Sequence, residues 1–255
     1  MRRCVEYTLM PKVLFVSLRS GELADQVSTA EYRDFIQTTG LTFPELPMIV
    51  LSSTERSVGN LSDYDGVIVG GSSLNITNEP WDDWQHHIHQ QLSEIIESGL
   101  PTFLVCYGAS WLAHTVGGTI GHQFAEQSGP TYVELTDAGR TDPISAGLPD
   151  SFTSLTGHTE CIEAISPELT VLASGPSCPV QFLRYREHVW ATQFHSDMDA
   201  AAMHDRMNFY RDYGYFSPED YDTIVAGLPQ VDTTWSNQLM RNFVDYCDRR
   251  QLSFR

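Results

Sequence analysis

Cys106 combines a reactive side chain with a sequence context that favours catalysis. A proline and four residues suited to a buried strand (residues 101–105) precede it, and Gly108 and a helical run to Val116 follow it. Strand, Cys, any residue, Gly and helix is the order of a nucleophile elbow, in which a sharp turn holds the nucleophile at a helix N-terminus. The helix dipole there favours the thiolate, which is the reactive form of cysteine. The alternative is an inert, apolar Cys that ends a core strand.

A second group of polar side chains, Gln-Phe-His-Ser-Asp at residues 193–197, ends another predicted strand. His195 and Asp197 are two residues apart, so an extended backbone places their side chains on the same face. A cysteine nucleophile needs a base that exchanges protons near neutral pH, which histidine provides, and a carboxylate fixes the histidine tautomer. A solvated strand end with polar residues would show the same pattern, so this spacing alone is a weak signal.

A glycine turn, Gly-Gly-Ser-Ser at residues 70–73, follows a third predicted strand. Glycines there let a backbone N–H point at a developing oxyanion, and the N–H of Tyr107 is a candidate partner in stabilising it. An ordinary glycine-rich βα turn and a phosphate-binding loop are the alternatives. Neither G-K-[ST] nor G-x-G-x-x-G occurs here, which disfavours a nucleotide role.

The elements between residues 12 and 116 must position these groups. Apolar runs predict strands at 12–18, 48–51, 63–72 and 101–105, alternating with helices at 24–39, 80–98 and 109–116. The clearest helix has apolar residues at helical spacing, namely Trp81, Trp84, Ile88, Leu92 and Ile95. This order predicts an α/β fold with a doubly wound, mostly parallel sheet, which binds ligands at the carboxyl ends of its strands.

Shorter apolar runs, divided by Gly, Pro and charged turns, follow residue 118. They predict antiparallel strands that extend the sheet edge, at 132–135, 160–164, 170–173, 179–185 and 189–194. Three helices follow, at 198–213, 218–226 and 235–250. The last has an apolar stripe expected to pack on the core, Trp235, Leu239, Phe243, Val244 and Cys247. We predict one domain, with its core at about 11–197 and a helical C-terminal extension at about 198–255.

The composition excludes several classes of partner. The 255 residues have a net charge of −18, from 33 acidic and 15 basic residues, which disfavours nucleic acids and anionic membranes. No apolar run has the length of a membrane span. The start Met-Arg-Arg is like that of a signal peptide, but the apolar run that follows, at residues 13–16, is too short for one. The chain has five cysteines, an odd number, and they lack paired spacing: Cys4, Cys106, Cys161, Cys178 and Cys247. This pattern favours a reducing, cytoplasmic setting.

The chain resembles the class I glutamine amidotransferases in three motifs that occur in the same order: the glycine turn, the C-Y-G elbow and the Q-F-H-x-acid segment. This is the Cys-His-Glu family that includes the glutaminase part of GMP synthase. The resemblance covers residue 12 to about 197, includes a segment at 157–160 (Gly-His-Thr-Glu) similar to the family's H-x-(D/E), and implies a flavodoxin-like sheet. The helices from about residue 198 look like those of stand-alone, GMP-synthase-like members.

The resemblance also implies roles for single residues. Cys106 would be the nucleophile, His195 the base and Asp197 the orienting acid. Gly71 and Tyr107 would supply the N–H groups of the oxyanion hole. The residues expected around the substrate are Gly70, Ser72, Gly108 and Ser110.

Three positions depart from the family pattern. Leu104 replaces a Gly two residues before the nucleophile, and Ser110 replaces a Gln that helps to hold substrate glutamine. Asp197 replaces a Glu and reaches less far by about one C–C bond, ~1.5 Å. The change at Ser110 bears on the glutamine pocket more than on the nucleophile.

We therefore expect an enzyme that hydrolyses a γ-glutamyl amide, glutamine by preference, through a thioester on Cys106. No ATP-loop motif occurs, so ammonia would be released or passed to a synthetase partner, and no cofactor is expected. A γ-glutamyl hydrolase or cysteine peptidase on the same scaffold, and a non-catalytic binding protein, remain alternatives. His86, His87 and His89 lie off the apolar face of their helix, so we interpret them as a solvated face and expect no metal site.

Overall fold

The computed structural model describes residues 10–211 and 213–253, so Arg2, Arg3 and Cys4 lie outside the described part. The first half contains β1 (Val13–Ser17), α1 (Ala24–Thr39), β2 (Met48–Val50), β3 (Gly66–Val69), α2 (Asp83–Glu97), β4 (Thr102–Val105) and α3 (Tyr107–Thr115). Next come β5 (Thr119–Gly121), β6 (Glu126–Leu135), α4 (Asp137–Arg140), β7 (Ser151–His158), β8 (Cys161–Ala164), β9 (Leu169–Ser174), β10 (Phe182–Tyr185) and β11 (Val189–Thr192). Three helices follow, α5 (Ala200–Phe209), α6 (Tyr221–Gly227) and α7 (Thr234–Ser253).

Nine strands form one mixed sheet in the order β2-β1-β3-β4-β11-β10-β9-β6-β7. The first five are parallel, and their order is that of a flavodoxin-like doubly wound sheet, which confirms the predicted fold class. The strands from β10 onward are antiparallel and extend the sheet, as predicted. The prediction was wrong for the strand at 160–164, because β8 pairs with β5 in a separate two-stranded sheet. The prediction was wrong for β11, which pairs parallel to β4 because the β10–β11 hairpin returns the chain beside the central strand.

The parallel strands are largely apolar because helices cover both of their faces. Along β1, Leu14 and Val16 contribute to the cluster that includes α2 and α3, whereas Val13 and Phe15 contribute to the cluster that includes α1 and α7. All four side chains are fully buried. This two-sided cover leaves the carboxyl ends of the strands as the place where polar side chains can meet.

Helix α7 belongs to the main core. Phe243 and Cys247 are fully buried, and a Cβ on Gly66 of β3 would lie 2.5 Å from Cys247 Sγ, so helix and sheet meet closely there. The predicted stripe is confirmed except at Trp235, which is 38% exposed. The predicted division of the chain at about residue 197 stays a prediction.

Several elements differ from the expected pattern for local reasons. Strand β6 begins at Glu126, earlier than predicted, because the turn-like Gly129 and Pro130 are accommodated at an irregularity in its pairing with β7. Strand β7 itself was missed, since its Ser, Thr, Gly and His residues give little apolar signal. Helix α2 begins at Asp83, after the N-cap Asp82, so Trp81 precedes the helix. Among the described residues, none of the helices has the length and apolar character needed to cross a bilayer.

Candidate active site

Cys106 occupies a strained turn between β4 and α3. Its backbone has φ 53° and ψ −98°, and a positive φ is uncommon for any residue except glycine. The Cys106 N–H donates to the Thr192 carbonyl on β11 at 2.7 Å, and its carbonyl accepts from the Ala109 N–H at 2.9 Å. Hydrogen bonds on both sides thus hold the strained residue, as a nucleophile elbow requires.

Gly108 explains how the elbow accommodates Leu104. A Cβ on Gly108 would lie 2.7 Å from Leu104 Cβ, so only glycine lets α3 pass this close to β4. The absence of a side chain at Gly108 therefore leaves room for the larger side chain of Leu104. The predicted contact of Gly108 with substrate stays a prediction.

His195 and Asp197 meet just beyond the end of β11. His195 Nδ1 lies 3.1 Å from Asp197 Oδ1, and both side chains are buried. The His195 N–H donates to the Leu155 carbonyl at 2.8 Å, which fixes the backbone against β7. The aspartate therefore reaches the imidazole despite being one carbon shorter than glutamate.

Burial and charge act in opposite directions on this pair. Burial lowers the pKa of His195, but the Asp197 carboxylate and the Cys106 thiol outweigh it and raise the pKa to about 9. Burial raises the pKa of Asp197, and the imidazolium outweighs that effect and holds the pKa below its ordinary value. The pair therefore favours an imidazolium beside a carboxylate.

The glycine turn after β3 brings Gly71 to the same place. A Cβ on Gly71 would lie 3.1 Å from His195 Cε1, and 3.8 Å from both His195 Nε2 and Cys106 Cβ. The backbone at Gly71 thus lies against the thiol and the imidazole together. Gly70 has a different environment, since its N–H donates to the Val16 carbonyl and its Cα faces the Glu31 carboxylate.

Two spaces meet at Cys106, with Ser72 and Tyr215 on the border of both. The polar space is lined by Asn75, Tyr107, Ser110, His158, Glu160 and Gln193. The apolar space is lined by Met198, Met203, Met207 and Phe216, together with His195 and the two arginines Arg19 and Arg206. The structure thus brings six predicted residues together around these two spaces, namely Cys106, His195, Gly71, Ser72, Tyr107 and Ser110.

Similarity to known proteins agrees with this geometry. The family model of glutamine amidotransferase class-I matches residues 45–210, well over half of the chain. The chain belongs to the class I glutamine amidotransferases.

Curated relatives of this amidotransferase include two enzymes named GMP synthase [glutamine-hydrolyzing]. The one from Thermomicrobium roseum is 32% identical over 133 residues, which are 52% of this chain and 23% of the relative. The one from Lactobacillus delbrueckii subsp. bulgaricus is 24% identical over 184 residues, 72% of this chain and 32% of the relative. The chain thus spans about a quarter to a third of the length of these relatives.

Solved structures share the fold of this amidotransferase. A glutamine amidotransferase from Thermotoga maritima superposes with a TM-score of 0.72 at 17% identity, covering 93% of this chain and 98% of that one. Another from Methylobacillus flagellatus gives 0.63 at 13% identity, covering 93% and 95%. The agreement of fold extends well beyond the residues that the family model matches.

The polar space of the amidotransferase contains unpaired polar atoms. Ser110 Oγ, Glu160 Oε1 and Gln193 Oε1 are buried without a hydrogen-bond partner among the described residues. The other oxygen of Glu160 accepts hydrogen bonds from the N–H and the hydroxyl of Thr77. Burial raises the pKa of the Glu160 carboxyl, and the N–H groups of Ile76 and Thr77 and the nearby hydroxyls of Thr77 and Ser110 oppose it. Buried polar atoms are ordinarily paired, so these three are available to a polar ligand.

Sequence patterns misassigned one histidine near this space. His89 is part-buried, and its Nε2 lies 2.7 Å from the Tyr107 hydroxyl, while its ring packs against Trp81. Burial is the main reason that the pKa of His89 is lowered to about 4. The interpretation of His89 as part of a solvated face was therefore wrong, because the face of α2 beside the apolar stripe packs on the elbow.

The walls of the apolar space could not be identified from motifs. Tyr215 and Phe216 follow α5 and lie beyond the residues that the family model matches. The Ser128 N–H donates to the Tyr215 carbonyl at 2.8 Å, which fixes this segment beside Cys106. These residues are ordinary aromatics in the sequence, and only their packing brings them to the site.

The His195–Asp197 pair predicts how stability depends on pH. The pKa of His195 is about 9 in the folded chain against an ordinary 6.5, so the folded state binds this proton more tightly. The resulting stability is fully present below pH 6.5 and is lost as the pH rises through about 9. We expect the free energy of unfolding to fall over this interval by ~1–3 kcal/mol more in the wild type than in His195→Gln.

Urea unfolding of both proteins at pH 6.5 and at pH 9.5 measures this difference. The comparison removes the contributions of titrating groups away from this site, since the two proteins share them. An equal loss of stability in wild type and variant would contradict the raised pKa.

Proposed function

We propose that this amidotransferase hydrolyses the side-chain amide of glutamine through a thioester on Cys106 and passes the ammonia to a synthetase partner. The observation that carries the proposal is the position of Cys106, strained, buried and adjacent to both His195 and Gly71. A strained backbone persists only where the surrounding structure enforces it, and it is common at sites of function.

The first half of the reaction forms the thioester. His195 holds the proton of the Cys106 thiol because its pKa is raised, and the Cys106 thiolate attacks the amide carbon. The oxygen becomes negatively charged and receives hydrogen bonds from the N–H groups of Gly71 and Tyr107. His195 then returns the proton to the departing nitrogen, the C–N bond breaks, and ammonia leaves.

The second half regenerates the thiol. His195 removes a proton from water, the hydroxyl adds to the thioester carbon, and the same two N–H groups stabilise the charge. Cys106 leaves as the thiolate beside the protonated His195, and glutamate is released. Asp197 holds the ring of His195 in place and stabilises its charged form throughout.

Substrate recognition is assigned to the polar space. Glutamine carries an ammonium, a carboxylate and an amide, and the unpaired atoms of Ser110, Glu160 and Gln193 can receive such groups. The buried carboxyl of Glu160 suits the ammonium. Tyr215 borders both spaces, so a movement of this one side chain would widen the entrance for substrate.

The synthetase partner is inferred from the relatives. Enzymes named GMP synthase [glutamine-hydrolyzing] match this chain, which spans about a quarter to a third of their length. We propose that the ammonia is used by a synthetase of this kind and that the reaction takes place in the cytoplasm, where the buried cysteines remain free thiols.

Selective alkylation of Cys106 tests the chemistry. A glutamine-mimicking diazoketone should label Cys106 faster than Cys161, Cys178 and Cys247, and free glutamine should protect it. Burial raises the pKa of all three comparison thiols, to about 12 for Cys178, which keeps them protonated and unreactive. Peptide mass analysis of the labelled protein, with an assay of ammonia release, gives the readout.

The outcomes of this experiment separate two failures. Selective labelling without protection by glutamine would leave the nucleophile in place and overturn glutamine as the substrate. Labelling of Cys106 no faster than that of Cys161 would overturn the enzymatic assignment itself.

Gly71→Pro is expected to lower turnover roughly 10²–10³-fold, because it deletes one of the two proposed oxyanion N–H groups. Gly71→Ala keeps the N–H and adds a methyl group 3.1 Å from His195 Cε1, so we expect a smaller loss. Steady-state turnover of both variants, with circular dichroism to verify folding, measures the difference. A well-folded Gly71→Pro protein with near-normal turnover would mean that other groups stabilise the oxyanion.

A further inference from the structure

Only one of the two spaces beside Cys106 is lined by the proposed base, His195. His195 borders the apolar space, whereas the polar space has Gln193 and Ser110 in its wall and does not include His195. A leaving amine takes its proton from the base, so it must depart on the side where His195 lies. The γ-glutamyl part of the substrate therefore belongs in the polar space, and the leaving amine belongs in the apolar space.

The wall of the apolar space is built from side chains that suit an alkyl group. Met203, Met207 and Phe216 come from α5 and the segment after it, and all three are buried. Methionine adapts its shape to an apolar partner because its side chain is unbranched and flexible. Ammonia is small and polar and gains nothing from such a wall.

The two arginines in this wall share an acidic partner, Glu31. Arg19 Nη2 donates to Glu31 Oε1 at 2.8 Å, and Arg19 Nη1 donates to the Tyr210 hydroxyl at 2.8 Å. Arg206 forms longer ion pairs with Glu31 and Asp34. Both guanidinium groups thus have acidic partners, and burial raises the pKa of Asp34 to about 8, so Glu31 is the main charged partner of both.

We propose that this amidotransferase also cleaves γ-glutamyl amides whose amine carries a small apolar group, and that the apolar space binds that group. The space has room for several waters and hence for a short alkyl chain. The proposal rests on the thioester chemistry of Cys106 and adds a class of substrate to it.

The reaction balances without an oxidant or a cofactor. The Cys106 sulfur bonds to the amide carbon, the C–N bond breaks, and the amine leaves with the proton from His195. Water then cleaves the thioester to glutamate and thiol. In the reverse sense, an alkylamine bound in the apolar space can attack the thioester and form a γ-glutamyl alkylamide.

The test compares two substrates of nearly equal size, γ-glutamyl-propylamide and γ-glutamyl-2-hydroxyethylamide, with glutamine as the reference. The propylamide has a terminal methyl group where the other amide has a hydroxyl. Because the apolar space buries this methyl group, kcat/KM for the propylamide is expected to be higher by on the order of 10-fold. Release of propylamine or ethanolamine by the purified protein gives the rates.

Variants locate the effect in the apolar wall. Met203→Gln and Met207→Gln should bring the ratio of the two kcat/KM values close to one. Met48→Gln is the matched control, since Met48 is a part-buried methionine on β2, outside both spaces, and the ratio should stay at the wild-type value. Because a ratio is measured, a general loss of active protein does not affect it.

Wild-type protein provides a measurement that needs no variant. With glutamine as the acyl donor, propylamine should capture the thioester more efficiently than ethanolamine at equal concentration, and γ-glutamyl-propylamide should accumulate. Glutamine cleavage without alkylamide cleavage, or equal rates for the two alkylamides, would overturn the proposal and make the space a passage for ammonia. Absence of any cleavage, glutamine included, would instead overturn the proposed function.

Discussion

His195→Ala is expected to lower glutamine turnover by roughly 10⁴–10⁶-fold, because His195 is the proposed carrier of the proton between Cys106 and the departing nitrogen. Asp197→Asn is expected to cost about 10- to 100-fold less, since the carboxylate orients and stabilises the imidazole without exchanging protons with substrate. Single-turnover assays of ammonia release separate these chemical effects from changes in substrate binding.

A matched control for this comparison is His86→Ala, which removes an exposed imidazole from α2 and should leave turnover at the wild-type level. Equal losses in the His195 and Asp197 variants would indicate that Asp197 takes part in proton transfer directly. An unaffected Asp197→Asn protein would mean that another residue orients the imidazole.

The elements that carry the proposed catalytic groups could be predicted because their signals are local. The apolar run before Cys106 and the glycine after it define a strand and a tight turn into a helix, whatever the rest of the chain does. The spacing of His195 and Asp197 fixes a common face in the same way. Gly71 could be placed because a glycine turn after a parallel strand lies at the same sheet edge as the elbow.

The environment of these groups could not be predicted, because it depends on contacts between distant parts of the chain. Nothing in the local sequence indicates that Tyr215 reaches the elbow or that His89 binds the Tyr107 hydroxyl. The same limit explains the error at Trp235, whose helical spacing matches the buried stripe although it lies at the exposed start of α7. Periodicity identifies the face of a helix but not the extent of its contact with the core.

Cys106→Ala is expected to abolish glutamine turnover, a loss on the order of 10⁵-fold or more, because the thioester cannot form. Cys161→Ala, which removes another buried thiol, is the control and should retain turnover. Residual turnover of the Cys106 variant within 100-fold of the wild type would show that the amide is cleaved without a covalent intermediate.

The same position links activity to backbone strain. Cys106 has φ 53°, which a side chain makes unfavourable and glycine tolerates. Cys106→Gly should therefore be as inactive as Cys106→Ala but more stable than it, by about 1–3 kcal/mol of unfolding free energy. Urea unfolding of the two variants measures this difference. Equal stabilities would mean that the surrounding hydrogen bonds hold the turn without strain. The expected difference would mean that the strained backbone at Cys106 lowers the stability of the fold in order to position the nucleophile.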